Sequence, residues 1–142
     1  MMAAPPSRFP GLAKAAEEES RQLRAAIIEA LGSIGGDHAG KALTRIAELE
    51  QTRNSDEMAP YLIKAFASCK ASSSIRDLYE YYVRPSGPHR LDAISALARL
   101  APLDAAHVSN LLRGLARDER TPHDVAAAAM DALDEISSGG GA

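Results

Sequence analysis

The sequence predicts an all-α chain built by repeating one pair of helices. Three observations carry that expectation. In Arg24-Ala-Ala-Ile-Ile-Glu-Ala-Leu-Gly-Ser-Ile34, residues Ile27, Ile28, Leu31 and Ile34 fall at helical spacing and make one apolar face. Aligned on Ala30-Leu31, the same pattern returns at Ala65-Phe66, Ala96-Leu97 and Ala132-Leu133, at steps of 35, 31 and 36 residues. Ile28, Ile63, Ile94 and Met130 stand two residues before these alanines, and Ile34, Cys69, Leu100 and Ile136 four after. A second helical pattern lies between them: Ala39, Ile75 and Val108 align, as do Leu43, Tyr79 and Leu112, then Ile46, Tyr82 and Leu115. One such helix pair cannot bury its apolar stripe alone, so neighbouring pairs must stack to close a core.

Taken in order, residues 1–10 carry three prolines and read as a flexible N-terminal segment. A helix from about Gly11 to Ser20 follows, with Leu12, Ala15 and Ala16 inward and Glu17-Glu18-Glu19 solvated. Two readings stay open next: a break at Ser20, favoured because serine is a good N-cap, or a helix continuous to Ile34. Gly35-Gly36 stops that helix and Asp37 caps the next, over about 38–50, with Leu43, Ile46 and Leu49 inward. Thr52–Asp56 is a turn, and Ser55 or Asp56 caps a helix to about Lys70. Pro60 falls in its first turn, where a missing N–H costs little. Ser72-Ser-Ser74 opens a helix that ends at Arg84-Pro85-Ser-Gly-Pro88. The next helix ends at Leu100-Ala-Pro-Leu, and Asp104 caps its successor to about Arg117. Thr121-Pro122 opens the last, which ends near Ile136. Residues 138–142 read as a flexible Gly-rich tail. The count is seven helices and no strand.

At this point a family resemblance is legible. Leu23-Arg-Ala-Ala-Ile-Ile-Glu-Ala-Leu-Gly-Ser-Ile-Gly35, followed by Ala42-Leu43 and Ile46, resembles the short HEAT-like repeat of the phycobilisome-lyase type. The likeness covers roughly residues 20 to 137; later repeats carry Ala67, Ala98 and Asp134 in place of the glycine, and the third has a longer turn at Pro102. The resemblance implies a right-handed α-solenoid of about three and a half HEAT-like helix pairs over 11–137, with the second helices lining a concave face. It also implies binding and scaffolding as the function, with attachment of bilin chromophores in some members.

Composition narrows the function further. Apolar residues make up 46% of the 142, yet aromatics are only 4% and Trp is absent, so the core must come from close helix approach over alanine. A chain this long can bury roughly two-thirds of its unfolded surface as one domain. The formal charge of −3, from 16 basic and 19 acidic residues, argues against nucleic acid as the partner. No apolar run approaches the roughly 18 residues of a membrane span. Met1–Arg8 has no apolar stretch of the signal-peptide kind. The single Cys69 cannot form an internal disulfide, and its alignment makes it a small core hydrophobe rather than a reactive thiol. A cytoplasmic placement follows as the expectation.

Motifs that would carry chemistry are sparse. His38, His89, His107 and His123 lie at helix starts; neighbouring helices about 8–10 Å apart do not bring them onto one metal, so neither metal nor cofactor is expected. Gly32, Gly35 and Gly36 follow no strand and lead to no Lys-Ser/Thr pair, which excludes a phosphate loop. No serine sits in Gly-x-Ser-x-Gly, and Asp118-Glu119 reads as a solvated helix end. The expected function is therefore a non-catalytic scaffold. On a helical wheel the side opposite the isoleucines carries Glu29 and Ser33, Lys64 and Ser68, Ser95 and Arg99, then Asp131 and Glu135. Glu29, Tyr61, Lys64, Tyr81, Asp92, Arg99, Asp131 and Glu135 are the candidate protein-binding residues. In the Tyr79-Glu-Tyr-Tyr82 cluster, Tyr79 and Tyr82 replace core leucines, whereas Tyr81 is expected to face solvent as an anchor. From Thr121 onward four acids (Asp124, Asp131, Asp134, Glu135) meet no Lys or Arg, so the expected partner presents a basic patch there. Ala126, Ala127 and Ala128 offer self-association through an end helix. The alternative reading, a bilin lyase-like subunit, has only Tyr61, Tyr81 and His89 as loose candidates.

Overall fold

The computed structural model describes residues 10–140, and seven α-helices with no strand occur among them. They are α1 (Pro10–Ile34), α2 (Gly36–Thr52), α3 (Ala59–Cys69), α4 (Ser74–Leu78), α5 (Arg90–Arg99), α6 (Ala105–Arg117) and α7 (His123–Gly140). Helix α4 continues without a break into a π-helical turn, Tyr79–Val83, closed by Arg84 N donating to the Tyr79 carbonyl at 2.8 Å. Helix α1 packs on α3, α3 on α5 and α5 on α7, so the Ala-rich helices form one continuous row. The reading of residues 1–9 as a flexible segment lies outside the described residues, as do 141 and 142 of the tail.

Helix α1 is unbroken through Ser20. Between Leu12 and Ser20 there is no glycine or proline to stop the helix, and Ala, Glu, Lys and Arg all favour continuation. Glu18 pairs with Arg21 and accepts from Gln22 at 3.4 Å, bracing the turns on either side. The expected inward set Leu12, Ala15 and Ala16 is exposed instead. Helix α3, at 11 residues, is about 16 Å long and cannot cover the roughly 37 Å of the 25-residue α1. The first half of α1 therefore projects beyond the row.

Where α1 meets α3, small residues win the contact. Ala25, Ile28 and Gly32 are buried, whereas Ile27 and Ile34, expected inward, are 47% and 74% exposed. A Cβ built on Gly32 would stand 3.0 Å from the Ala65 Cα, so glycine alone permits this approach. The same preference corrects two other positions. In α2 the buried face runs through Leu43, Ala47 and Glu50, leaving Leu49 51% exposed. In α7, Val125, Ala129 and Ala132 are buried while Met130 is 53% exposed. Cys69, 3% exposed, is a core residue as its alignment predicts; its thiol approaches the Gly36 carbonyl at 3.3 Å, and burial pushes its pKa up.

Turn chemistry follows the sequence at some ends and departs at others. Asp104 caps α6 as expected, accepting from His107 N at 3.1 Å. Pro60 sits in the first turn of α3, and the Pro122 carbonyl accepts from Ala126 N at the head of α7. Gly35 (φ 72°) and Gly36 (φ 86°) occupy the left-handed region, which lets α1 turn into α2 within a single residue. Asp37 does not cap α2. Its carboxylate instead accepts from Ser72 N at 2.8 Å and Ser72 Oγ at 3.0 Å. Helix α7 does not stop at Ile136 but runs through Ser137 and Ser138 to Gly140.

Asp37–Ser72 is the first rung of a polar ladder between the first helices of two repeats. Thr44 Oγ1 donates to Asp77 Oδ2 at 2.5 Å, Tyr81 Oη donates to Glu48 at 3.4 Å, and Gln51 Nε2 donates to the Tyr81 carbonyl at 3.3 Å. The partners lie 30–35 residues apart in sequence, close to one repeat step. Asp77 is only 3% exposed, so the Thr44 hydroxyl matters: an unmatched buried carboxylate is costly. Glu50, 5% exposed, has neither carboxylate oxygen in a hydrogen bond and is offset by its ion pair with Arg24 at 3.5 Å, while Glu57 reaches Arg24 at 3.2 Å and Arg21 at 3.3 Å.

Two tests follow from this packing. A Cβ on Gly40 would overlap the Ala71 Cβ. Gly40→Ala should thus destabilise by up to about 2 kcal/mol, because overpacking of roughly 1–3 kcal/mol is set against a helix-propensity gain near 1. Adding Ala71→Gly should recover part of the loss, as read by denaturant unfolding. For Asp37, hydrogen bonds from the Ser72 backbone and hydroxyl hold the carboxyl below its ordinary 3.8. The folded pKa is depressed, so this stabilisation is fully present above about pH 4 and fades as pH falls through the lowered folded value. Ser72→Ala should shift the Asp37 carboxyl titration upward by NMR and flatten that acid limb.

Candidate interaction clefts

Two clefts open along the row of Ala-rich helices, and charged residues stand at both. The larger, about 710 Å³, lies between α5 and α7. Its origin is a mismatch in length: α5 has 10 residues, about 15 Å, and α7 has 18, about 27 Å. Beyond the end of α5 the chain turns away at Ala101-Pro102, leaving α7 as a free wall. Ile94, Ala98 and Ala101 line it on one side, Ala128, Ala132 and Ile136 on the other, and Ala105 closes toward α6. Ser95 and Arg99 edge the α5 side; Asp131 and Glu135, one helical turn apart, edge the α7 side.

The smaller cleft, about 180 Å³, lies between α1 and α3. Glu29, Gly32 and Ser33 of α1 face Tyr61, Lys64, Ala65 and Ser68 of α3 across it. Its narrowness has the same cause as the packing, since Gly32 lies against Ala65 and leaves only a shallow furrow above them.

Six of the eight sequence-predicted binding residues therefore line clefts: Glu29, Tyr61 and Lys64 in the smaller, Arg99, Asp131 and Glu135 in the larger. Asp92 and Tyr81 line neither. Asp92 is exposed in the first turn of α5. Tyr81, expected to face solvent, is half-buried in the π-turn against α2, with its hydroxyl on Glu48. Burial, then the Glu48 charge, pushes its hydroxyl pKa up. Tyr61, Tyr81 and His89 are not brought together: only Tyr61 lines a cleft.

The electrostatics of the larger cleft are one-sided. Among the described residues Lys64, Arg99, Asp131 and Glu135 form no ion pair, unlike Arg24, Arg84 and Arg120. Asp131 and Glu135 lie in the C-terminal half of α7, whose end also carries the negative pole of the helix dipole. An apolar floor with two free carboxylates on one edge and a guanidinium opposite suits an amphipathic, largely cationic group. The apolar floor was not legible from the sequence, where Ala98 reads as a replacement of the repeat glycine, Ala132 as a repeat-pattern alanine and Ala128 as part of a self-association face.

Among the described residues no group of three His, Cys, Asp or Glu side chains is placed to hold a metal ion. No helix of the structure is long and apolar enough to cross a membrane. Comparison with known proteins finds no matching protein family, no matching curated protein and no matching solved structure.

Proposed function

We propose that this chain is a non-catalytic scaffold or adaptor that binds a partner protein along the row α1–α3–α5–α7. On this reading the helix pairs form a right-handed HEAT-like α-solenoid of about three and a half pairs, acting in the cytoplasm, with this row on the concave side. The observation that carries it is the placement of six unlike charged and aromatic residues at two clefts of one row. Extended faces of this kind are how helical repeats engage other proteins. The partner presents apolar side chains to the floor between α5 and α7 and a basic patch to Asp131 and Glu135.

A second reading, a chromophore-binding or bilin lyase-like subunit, is favoured by one feature. At about 710 Å³ the larger cleft lies within the roughly 300–1,000 Å³ of small-molecule sites. Mixing with a bilin separates the two, since a scaffold leaves the visible spectrum unchanged.

For the scaffold, a photoreactive side chain placed at Ser95 or Ser68 should cross-link to the partner, and one at Asn110 or Arg45 should not. Asp131→Lys with Glu135→Lys should slow association several-fold and reduce its salt dependence, with helicity by circular dichroism unchanged. Equal cross-linking from Asn110, or unchanged association of the double reversal, would contradict the proposed face.

A further inference from the structure

We propose that the occupant of the cleft between α5 and α7 is an amphipathic α-helix of the partner, about three turns long, with two basic residues one turn apart along one edge of its apolar stripe. This rests on the scaffold reading and specifies what that scaffold holds. The walls carry the argument. On α7, Ala128, Ala132 and Ile136 repeat at four-residue spacing and form one row, and Asp131, Glu135 and Gly139 form the row beside it. On α5, Ile94 and Ala98 form an inner row and Ser95 and Arg99 an outer one, at the same spacing. Each wall thus offers an apolar row backed by a polar one, on the four-residue ridges by which packed helices interlock. Ala98, Ala128 and Ile136 are only half-buried, so the apolar rows still have area to offer.

Other ways of holding a protein segment lack their apparatus here. Strand addition needs an exposed sheet edge, and no strand occurs among the described residues. A polyproline segment docks on aromatic side chains, and no aromatic residue lines this cleft. An acidic or phosphorylated motif is read by clustered arginines, whereas Arg99 stands alone against two carboxylates. A helix laid in an apolar groove is the mode these walls match. Their small side chains let another backbone come close, as Gly32 and Ala65 do within the fold.

Length and charge define the occupant further. The lining of α7 from Ala128 to Gly139 is about 17 Å long, which takes about three helical turns. Asp131 and Glu135 are four residues apart, so their Cβ atoms are about 6 Å apart, the spacing at which another helix presents its own residues four apart. Lysine or arginine at two such positions meets both carboxylates at once, and one acid on the opposite edge meets Arg99. The free end of α7 gains most from this. Helix α7 runs on through Ser138 and Gly139 despite their poor helix propensity, so an occupant along this wall slows amide exchange there.

A displayed library of random peptides of about 16 residues, long enough for four turns, tests the occupant when selected on the natural chain and counter-selected on Asp131→Lys with Glu135→Lys. Enriched sequences should carry small or apolar residues at three- and four-residue spacing, with Lys or Arg four apart beside them. Once synthesised, the most enriched peptide should gain helicity on binding, shift the amides of Ser95–Arg99 and Ala128–Gly139, and slow exchange at Ser138 and Gly139. It should bind the doubly reversed chain, of equal helicity, at least about tenfold more weakly. Exchanging the two basic residues of the peptide for Glu should restore binding to the reversed chain to within about threefold of the original. Enriched peptides that shift those amides but lack helical spacing overturn the helical occupant and leave the binding face standing. Helical peptides held equally by the reversed chain, or a library that yields no enrichment, overturn the occupant too. Peptides that bind with α5 and α7 unmoved contradict the scaffold's face as well.

Discussion

How closely two helices can approach is set by the side chains between them, and here glycine and alanine fill many of those positions. Gly32 rests on Ala65, Gly40 on Ala71, and Ala93, Ala96, Ala129 and Ala132 are buried along α5 and α7. Close approach multiplies dispersion contacts over the whole helix length, in a core whose buried aromatics are Phe66 and Tyr82. It also decides orientation. Once the small face of a helix is against its neighbour, larger residues on adjacent faces must point elsewhere. Ile27, Ile34 and Met130 are exposed for that reason.

Two rows of helices use two kinds of contact. The Ala-rich row α1–α3–α5–α7 relies on apolar proximity, which tolerates sliding and leaves furrows where helix lengths differ. The first-helix row between α2 and the α4 segment relies on hydrogen bonds, Asp37–Ser72, Thr44–Asp77 and the Tyr81 contacts with Glu48 and Gln51. Directional bonds of this kind fix the offset of one repeat on the next. Their charged acceptors make them stronger than neutral pairs, and Asp77 and Glu50 are buried where a lost partner would be felt. On the proposed reading, interaction chemistry falls on the Ala-rich row, where the charges at the clefts are not already committed to holding the fold.

Much of this was legible in the sequence because it depends on period. The Ala-Leu recurrence and the breaks at Gly35, Pro85 and Asp104 locate the helices within a few residues. The charged residues on the wheel side opposite the isoleucines, Glu29, Lys64, Arg99, Asp131 and Glu135, are five of the six predicted residues that line clefts, and Tyr61 is the sixth. What the sequence hid depends on competition between faces. Ile27 and Ile34 read as core because they fall at helical spacing with Ile28 and Leu31, yet Gly32 admits a closer contact and wins it. Ser20 read as a cap because its chemistry suits one, but a cap without a preceding stop does not end a helix. Asp37 was expected to bond its own helix, and a serine one repeat away offered two donors. The hollow between α5 and α7 arises from an 18-residue helix packed on a 10-residue one, and the continuation of α7 past Ile136 carried no signal of its own.

The account turns on whether ligation occurs on the Ala-rich row, and amide chemical-shift mapping during titration with the cross-linked partner reads this directly. The predicted result is a set of shifts concentrated in Ser95–Arg99 and from Ala128 to Ser138, with a weaker set at Ser33 and Lys64–Ser68 and little change in Arg45 or Asn110–Arg117. Shifts concentrated instead on the outer faces of α2 and α6, with α5 and α7 unmoved at saturation, would contradict it.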